Sequence, residues 1–532
     1  MQEKWWHKSV VYQIYPKSFN DTNGDGIGDI KGIIEKLDYL KTLGVDYLWI
    51  SPLYKSPMVD NGYDISDYED INPLYGTMAD MDLLLLESKK RGIGILMDLV
   101  INHTSDQHPW FLESKKSKDN PYRDYYIWAD KPNDLGSTFG GKAWTYDPNT
   151  KQYYFHNFAK EQPDLNWDNP KIMAEITKMI LFWMDKGVAG FRLDVIDLIG
   201  KDIENKITAN GPTLHPRIKQ LSEQTFLTKD ILTVGETWGA TPEIAKLYSD
   251  PARKELSMIF QFEHMTIDWG QYGKWTPKPL DFVHLKHILF KWQQEIHPAW
   301  NSLFWNNHDL PRVVSRFGNP EQYHFESASF FAIMLHLMKG TPYIYQGEEI
   351  GMTNVKFDDL SDYDDIEIKN SYQDFVLDTK RMTKADFMTG VYRMGRDNAR
   401  TPMQWQNTKE AGFTTGKPFL KVNPNYPKIN VADNLNNQDS LFYVYQHLIE
   451  LRKNSPYSQT IVYGDFIPLE LNHKSIVAYQ RTSEDYTLLV VGNYGEQKVQ
   501  LPAYAKGKKV LFSNYKDQVD TLRPYEIIIF VE

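Results

Sequence analysis

Eight short, nearly unbroken apolar runs, separated by helical patterns, constrain this chain more than any other feature. They are Val10–Tyr15, Tyr47–Ile50, Gly94–Val100, Gly190–Asp194, Leu232–Glu236, Met258–Phe262, Asn301–Trp305 and Thr341–Tyr345. Runs that are continuous rather than alternating mark strands buried on both faces of a parallel sheet. Between them lie amphipathic stretches. Ile172, Ile176, Met179, Ile180 and Trp183 recur at helical spacing after Asn169, and Gly187 supplies a stop. Alternating units in this number predict a (β/α)8 barrel, an α/β fold.

Three of these runs lead to acidic residues: Asp194 in GFRLDVI, Glu236 in LTVGETW and Asp309 in FWNNHD. In a parallel barrel the strand C-terminal ends converge on one face, where the active site sits. Carboxylates gathered there repel one another, which packing does not explain and chemistry does. Glycoside hydrolysis is a reaction that uses paired carboxylates.

Two intervals break the rhythm. Residues 104–168, rich in Asp, Asn, Tyr and Trp, are too many for a structureless loop and predict an inserted subdomain over the catalytic face. Residues from about 350 to 410 form a second, polar and acidic excursion. After Ser458 the pattern changes to short strands at Ser475–Gln480, Thr487–Asn493, Lys508–Phe512 and Glu526–Val531, separated by turn residues. The expected layout is a catalytic barrel over 1–103 and 169–458, the insert 104–168, and a C-terminal antiparallel β-sandwich domain over 459–532.

The 532 residues include no cysteine and carry a formal net charge of −11. No basic stripe offers a phosphate footprint, so nucleic acid is excluded as a partner. Absence of cysteine suits a reducing cytoplasm. No run reaches the roughly 20 apolar residues of a membrane span. The N-terminal MQEKWWHKSVVYQIYPKSF lacks the apolar core and cleavage site of a signal peptide. The expectation is a cytoplasmic protein with no membrane partner.

The motifs sharpen the chemistry. DTNGDGIGD places oxygen side chains at Asp21, Asn23, Asp25 and Asp29, with Gly26 for a sharp turn and the Ile27 carbonyl within the loop. That is the ligand spacing of a calcium loop, without the closing glutamate of an EF-hand. The alternative is a solvated turn. DLVINH puts Asp98 at one end of a strand segment and His103 at the other. In GFRLD, Arg192 stands two residues before Asp194, so both side chains point the same way. A cation there favours the ionised carboxylate a nucleophile needs, although a structural salt bridge has the same pattern. An acid at Glu236 needs desolvation or nearby negative charge to keep its proton, and Trp238 with the other carboxylates can supply both. His308 precedes Asp309 and can serve a sugar hydroxyl or the core.

DLVINH, GFRLDVI, GETW and FWNNHD, in that order, resemble the four signature regions of the α-amylase family of retaining glycoside hydrolases along essentially the whole chain. QPDLN (Gln162 to Asn166), RDNARTPMQW and TPYIYQGEEIGMTN resemble its oligo-1,6-glucosidase and glucan 1,6-α-glucosidase (dextran glucosidase) branch. The resemblance implies Asp194 as nucleophile, Glu236 as acid and base, and Asp309 as the group that binds two sugar hydroxyls. It also implies that Asp60, Tyr63, His103, Arg192, His308 and Arg396 grip the terminal glucose. Gln162 belongs to the branch motif, Trp238 is a sugar-facing aromatic, and Lys274 and Glu367 are acceptor-side candidates. Val195 beside the nucleophile matches members that prefer α-1,6 bonds, where α-1,4 enzymes carry alanine or threonine. Asp21, Asn23, Asp25, Ile27 and Asp29 match the branch's structural calcium loop.

The implied activity is exo-hydrolysis of α-1,6-glucosidic bonds in isomaltooligosaccharides, panose or dextran by a monomer, through a covalent glucosyl-Asp194 intermediate. Rivals are an α-1,4-glucosidase, a sucrose isomerase and a trehalose-6-phosphate hydrolase. The last needs a cationic phosphate clamp, and no compact basic cluster lies near the motifs. A non-catalytic glycan-binding or transporter-associated relative would have lost an acid or carry a span.

Overall fold

All eight apolar runs are strands of one parallel sheet in the computed structural model, which describes residues 3–517 and 520–532. They are β1 (Val11–Ile14), β2 (Tyr47–Ile50), β3 (Gly94–Leu99), β4 (Gly190–Leu193), β5 (Leu232–Thr237), β6 (Met258–Gln261), β7 (Ser302–Leu303) and β8 (Thr341–Tyr345). Neighbours run β6-β5-β4-β3-β2-β1-β8-β7. A parallel bridge from Ile259 to Asn301 joins β6 to β7 and closes the barrel. At Gly190 the backbone of β5 leaves no room for a side chain, since a Cβ there would meet the Leu232 carbonyl at 2.1 Å.

The helix between β3 and β4 has the anatomy its sequence predicts. Asn169 caps it by accepting from the Lys171 amide, Pro170 occupies the first turn, and Gly187 ends it with φ +103°. Ile172, Ile176, Met179, Ile180 and Trp183 are its buried face.

The residues at 104–168 form a three-stranded antiparallel sheet of Trp128–Ala129, Trp144–Asp147 and Gln152–Phe155, with a short helix at Pro109–Ser114. The His103–Asp164 bridge and the Leu165 amide, which donates to the Asn102 carbonyl at 2.9 Å, tie it to the segment after β3, and a Tyr126–Leu165 bridge braces the insert itself. The second excursion is more ordered than its polar sequence suggests. Helices Ile366–Tyr372 and Lys384–Met394, with a π-helical turn at Gln373–Asp378, pack around Trp275, Phe357, Ile368 and Phe387.

The C-terminal strands β9 (Asp465–Leu469), β10 (Ile476–Thr482), β11 (Thr487–Asn493), β12 (Lys509–Ser513) and β13 (Ile527–Val531) make an antiparallel sheet ordered β9-β10-β11-β13-β12. Strand β9, at the edge, has no counterpart in the sequence reading. A short ladder of Val499–Gln500 with Thr521–Leu522 forms the second layer, with Ile476, Leu489, Leu522 and Phe530 between the two. The sheet is fastened to the barrel by buried cations. Lys286, on helix Phe282–Glu295, donates to the carbonyls of Glu470 (2.8 Å), His473 (2.5 Å) and Ile476 (2.7 Å). Arg481 donates to Leu337, Ile461 and Gly464 carbonyls. Among the described residues no helix is long and apolar enough to cross a membrane.

Candidate active site

Strand register brings the first charges together. Asp98 on β3 lies opposite Arg192 on β4, so their side chains enter the barrel side by side. Arg192 Nη1 donates to Asp98 Oδ1 and to Asp194 Oδ1, both at 2.7 Å, and Nη2 donates to Glu236 Oε2 at 2.5 Å. Arg192 is 1% exposed, so water screens none of this. Trp49 and Tyr63 also donate to Asp98, at 3.1 and 2.9 Å, and fill its second oxygen. Trp238 Nε1 donates to Glu236 Oε1 at 3.0 Å while its ring stacks on Phe262 at 4.1 Å.

Val195 turns the chain directly after Asp194. Its φ of +35° and ψ of +47° are left-handed, a conformation that costs a β-branched residue about 1–3 kcal/mol. The turn aims the Val195 amide at Glu236 Oε2, 3.1 Å away. Burial pushes the Asp194 carboxyl up, Arg192 opposes that, and Glu236 and Asp98 add to it. One guanidinium therefore faces three buried carboxyls, so the set carries two negative charges in excess when all three are ionised, and protonation of a carboxyl relieves part of that.

Asp309 is reached differently. The seventh strand ends at Leu303 rather than Trp305, and Asp309 sits six residues beyond it on a loop. Its Oδ1 accepts from Arg400 Nη2 at 2.7 Å and Arg396 Nη1 at 3.3 Å. Burial works against the Asp309 charge, but its cationic neighbours outweigh it and hold the carboxyl well below the usual carboxylate range. His308 is pushed by burial down to about 3, so near neutrality it is an uncharged ring and the arginines do the holding. That ring stacks on Tyr63 at 5.2 Å and bonds Gln13 through Nδ1 at 2.8 Å.

Arg396 joins this group to the rim. Its Nη2 bonds Asp365 Oδ1 at 2.5 Å and lies 3.7 Å from Asp60, and its Nε is 3.3 Å from Glu367. Glu367 also pairs with Lys274. Gln162 Nε2 donates to Asp60 Oδ2 at 3.1 Å. A cavity of about 730 Å³ opens above these residues. Asp60, Tyr63, His103, Asp194, Val195, Glu236, Trp238, Lys274, Asp309, Glu367 and Arg396 all line it, while Arg192, His308 and Gln162 stand behind the lining. A cleft of similar size, about 760 Å³, lies between helix Leu441–Asn454 and β12 and contains none of them.

Several functional neighbours went unnamed at the sequence level. Arg400 was legible, being one helical turn from Arg396 and so on the same face. Asp365 is 31 positions from its partner and gives no local signal. Phe139 and Phe158 reach the cavity from the insert, and the Arg396 guanidinium lies 5.3 Å from the Phe139 ring.

The oxygen-rich loop is folded on itself. Asp21 accepts from the amides of Asn23, Gly24 and Gly26, and Asp25 from the Ile27 amide. Asp29 accepts from Thr22 and caps the next helix through the Gly32 amide. Among the described residues no three His, Cys, Asp or Glu side chains gather as a metal cluster.

Comparison with known proteins agrees with this geometry. The α-amylase catalytic-domain family model matches residues 13–464. The chain is 55% identical to a glucan 1,6-α-glucosidase of Streptococcus pneumoniae over 97% of its length and 96% of the relative's. It is 51% identical to an oligo-1,6-glucosidase of Bacillus cereus over 100% of both. Among solved structures, a trehalose-6-phosphate hydrolase of Bacillus licheniformis superposes with a TM-score of 0.94 at 44% identity, covering 99% of this chain and 100% of that one. An isomaltulose synthase of Klebsiella sp. LX3 superposes at 0.95 and 41%, covering 100% of both. The protein is a glycoside hydrolase and belongs to the α-amylase family.

Burial works against the Asp365 charge, but Arg396 outweighs it, and Arg400 and Lys274 help hold this carboxyl down to about 2. An unfolded carboxylate titrates near 4, so this ion pair contributes on the order of 2–3 kcal/mol above that pH and loses it as pH falls through about 2. The unfolding temperature of the wild type should therefore exceed that of Asp365→Asn at pH 6, by a margin that narrows as pH drops to 3. A margin that stays constant or widens contradicts this account.

Proposed function

We propose that the protein is a retaining, exo-acting α-glucosidase that removes single glucose units from the non-reducing end of α-1,6-linked oligosaccharides, panose or dextran. The observation that carries this is the bonding of Asp194 and Glu236 to the two terminal nitrogens of one guanidinium. Carboxyls held that closely suit the roughly 5–5.5 Å separation of retaining enzymes, not the roughly 6.5–9.5 Å that makes room for water in inverting ones.

In this reading an Asp194 oxygen attacks the anomeric carbon while the glycosidic C–O bond breaks. Glu236 gives its proton to the departing oxygen. Water then loses a proton to Glu236 and attacks the same carbon, releasing Asp194. The overall result is hydrolysis with the α configuration kept. Asp309, kept ionised by its arginines, binds two sugar hydroxyls and favours the oxocarbenium-like ring. Asp60, Tyr63, His103 and Arg396 grip the terminal glucose, with Arg192, Gln162 and His308 orienting them from behind. Asp60 and Arg396 with Phe139 close the far end of the pocket, which supports release of one unit at a time. Trp238, Lys274 and Glu367 serve the acceptor side.

The names of the relatives, glucan 1,6-α-glucosidase and oligo-1,6-glucosidase, support the linkage, as does Val195 beside the nucleophile. The cations that line the cavity, Lys274 and Arg396, are already paired with Glu367 and Asp365. That leaves no spare cation among these residues for a sugar phosphate. The protein would act as a monomer on oligosaccharides imported into the cytoplasm, which fractionation of the native host checks. The linkage reading predicts a kcat/KM at least tenfold higher on isomaltotriose than on maltotriose, about 1.4 kcal/mol of transition-state discrimination, with Asp194→Asn as the blank. Preference for maltotriose would overturn it.

We propose that the loop at residues 21–29 holds a structural calcium ion. Asp21, Asn23, Asp25 and the Ile27 carbonyl are hard oxygen donors on one turn, whose Gly24 and Gly26 carry φ of +81° and +90°. Asp29 closes the loop through Thr22 and stands last in the proposed ligand set. Bound calcium would lower the free energy of the folded chain. Chelation should lower the unfolding temperature by roughly 2–4 °C, and Asp25→Ala should abolish that response. An unchanged unfolding temperature after chelation of the calcium-loaded protein contradicts the assignment.

A further inference from the structure

Lys201 lies beyond β4, outside the cavity lining, and is buried although it carries a charge. Its ammonium is 2.5 Å from Asn102 Oδ1 and 2.8 Å from Asp164 Oδ2. An ammonium has donors only, so it fixes which end of the Asn102 amide faces it. The amide nitrogen is thereby turned to Asp164 Oδ2 and to His103 Nδ1, each at 3.1 Å. An amide NH₂ donates and does not accept, so Nδ1 of His103 must offer its lone pair. On the opposite edge of the ring, Nε2 lies 3.0 Å from the Tyr63 carbonyl, which only accepts. Both edges select the same neutral imidazole, with its proton on Nε2. Gln162 Nε2 also lies 3.3 Å from His103 Nε2. Its two N–H groups have acceptors in Asp60 Oδ2 at 3.1 Å and the Tyr63 carbonyl at 3.4 Å, and its Oε1 is taken by the Ala159 amide, so Gln162 does not need the Nε2 lone pair.

We infer that Lys201 is a positioning residue that sets the tautomer of His103 through Asn102, so that the imidazole keeps its proton on Nε2, donates it to the Tyr63 carbonyl and is held in one orientation at the cavity wall. Tyr63 and His103 line the cavity, whereas Asn102 and Lys201 do not. Burial lowers the His103 pKa to about 4, so the ring is neutral where the enzyme works and its tautomer, not its charge, decides what it offers. A buried Lys201–Asp164 pair that only tied the insert to the barrel would need no such alignment of the Asn102 amide.

The test is the ¹⁵N spectrum of histidine-labelled protein, with His103→Gln to assign the signals. The wild type should carry a protonated Nε2 and a bare Nδ1. Asn102→Asp puts an acceptor against Nδ1 and should move the proton there. The double variant Lys201→Met with Asp164→Asn removes both charges together, frees the Asn102 amide, and should give mixed tautomers. Both changes should raise KM on isomaltotriose at least tenfold, with a smaller fall in kcat. A wild-type proton on Nδ1, or an unmoved proton in folded Asn102→Asp, overturns the inference. The wild-type spectrum decides even where a variant does not fold. Only the kinetic arm rests on the glucosidase reading, because the tautomer is read without substrate.

Discussion

One guanidinium in a dry barrel organises this protein. Arg192 is buried to 1% exposure and spends its two terminal nitrogens on Asp98, Asp194 and Glu236. Removing four ionisable groups from water costs several kcal/mol each, and a well-packed apolar cluster of the same volume would be as stable or more so. Stability therefore does not account for the arrangement. It fixes two carboxyls at adjacent positions at the cavity floor and leaves the set with two negative charges in excess when all three carboxyls are ionised. Those are the conditions under which one carboxyl can act as nucleophile while its neighbour moves a proton.

Around this centre the structure repeats the device at wider radius. Arg396 and Arg400 hold Asp309, and Arg396 also reaches Asp365, Asp60 and Glu367. Each carboxyl on the rim has a cation in reach, and Arg396 and Arg400 are each held by more than one carboxyl. Tyr63, stacked on His308 and bonded to Asp98, links the inner cluster to the outer one. The insert contributes through Gln162 and Asp164, which couple it to Asp60 and to Lys201. The pocket wall is thus built from three separate parts of the chain, held together by charge pairs that desolvation strengthens.

What the sequence revealed follows from what is local. Short continuous apolar runs fit strands buried on both faces, and all eight runs are strands. The equally continuous Phe330–Leu335 lies in a buried helix, so run length and flanking turn residues have to separate the two. Asp194 and Glu236 were legible because strand ends on a barrel share a face. Asp309 was legible as a residue but not as a place, since its loop carries it six residues past β7. Asp98 opposite Arg192 depends on register between residues 94 positions apart, and Asp365 beside Arg396 on the packing of the second excursion. Neither relation has a periodic signature. The excursion itself reads as a polar loop because its small apolar cluster is assembled from residues as distant as Trp275 and Leu420.

In the proposed mechanism Asp194, which shares Arg192 Nη1 with Asp98, is the carboxyl that bonds covalently to the sugar. The most direct measurement is to react the protein with a fluorosugar glucosyl fluoride that forms its enzyme ester quickly and hydrolyses slowly, then map the adduct by mass spectrometry of the digest. This account predicts one glucosyl unit per chain, on Asp194. An adduct on Glu236 or Asp309, or turnover of α-glucosides with inversion and no adduct, would contradict it.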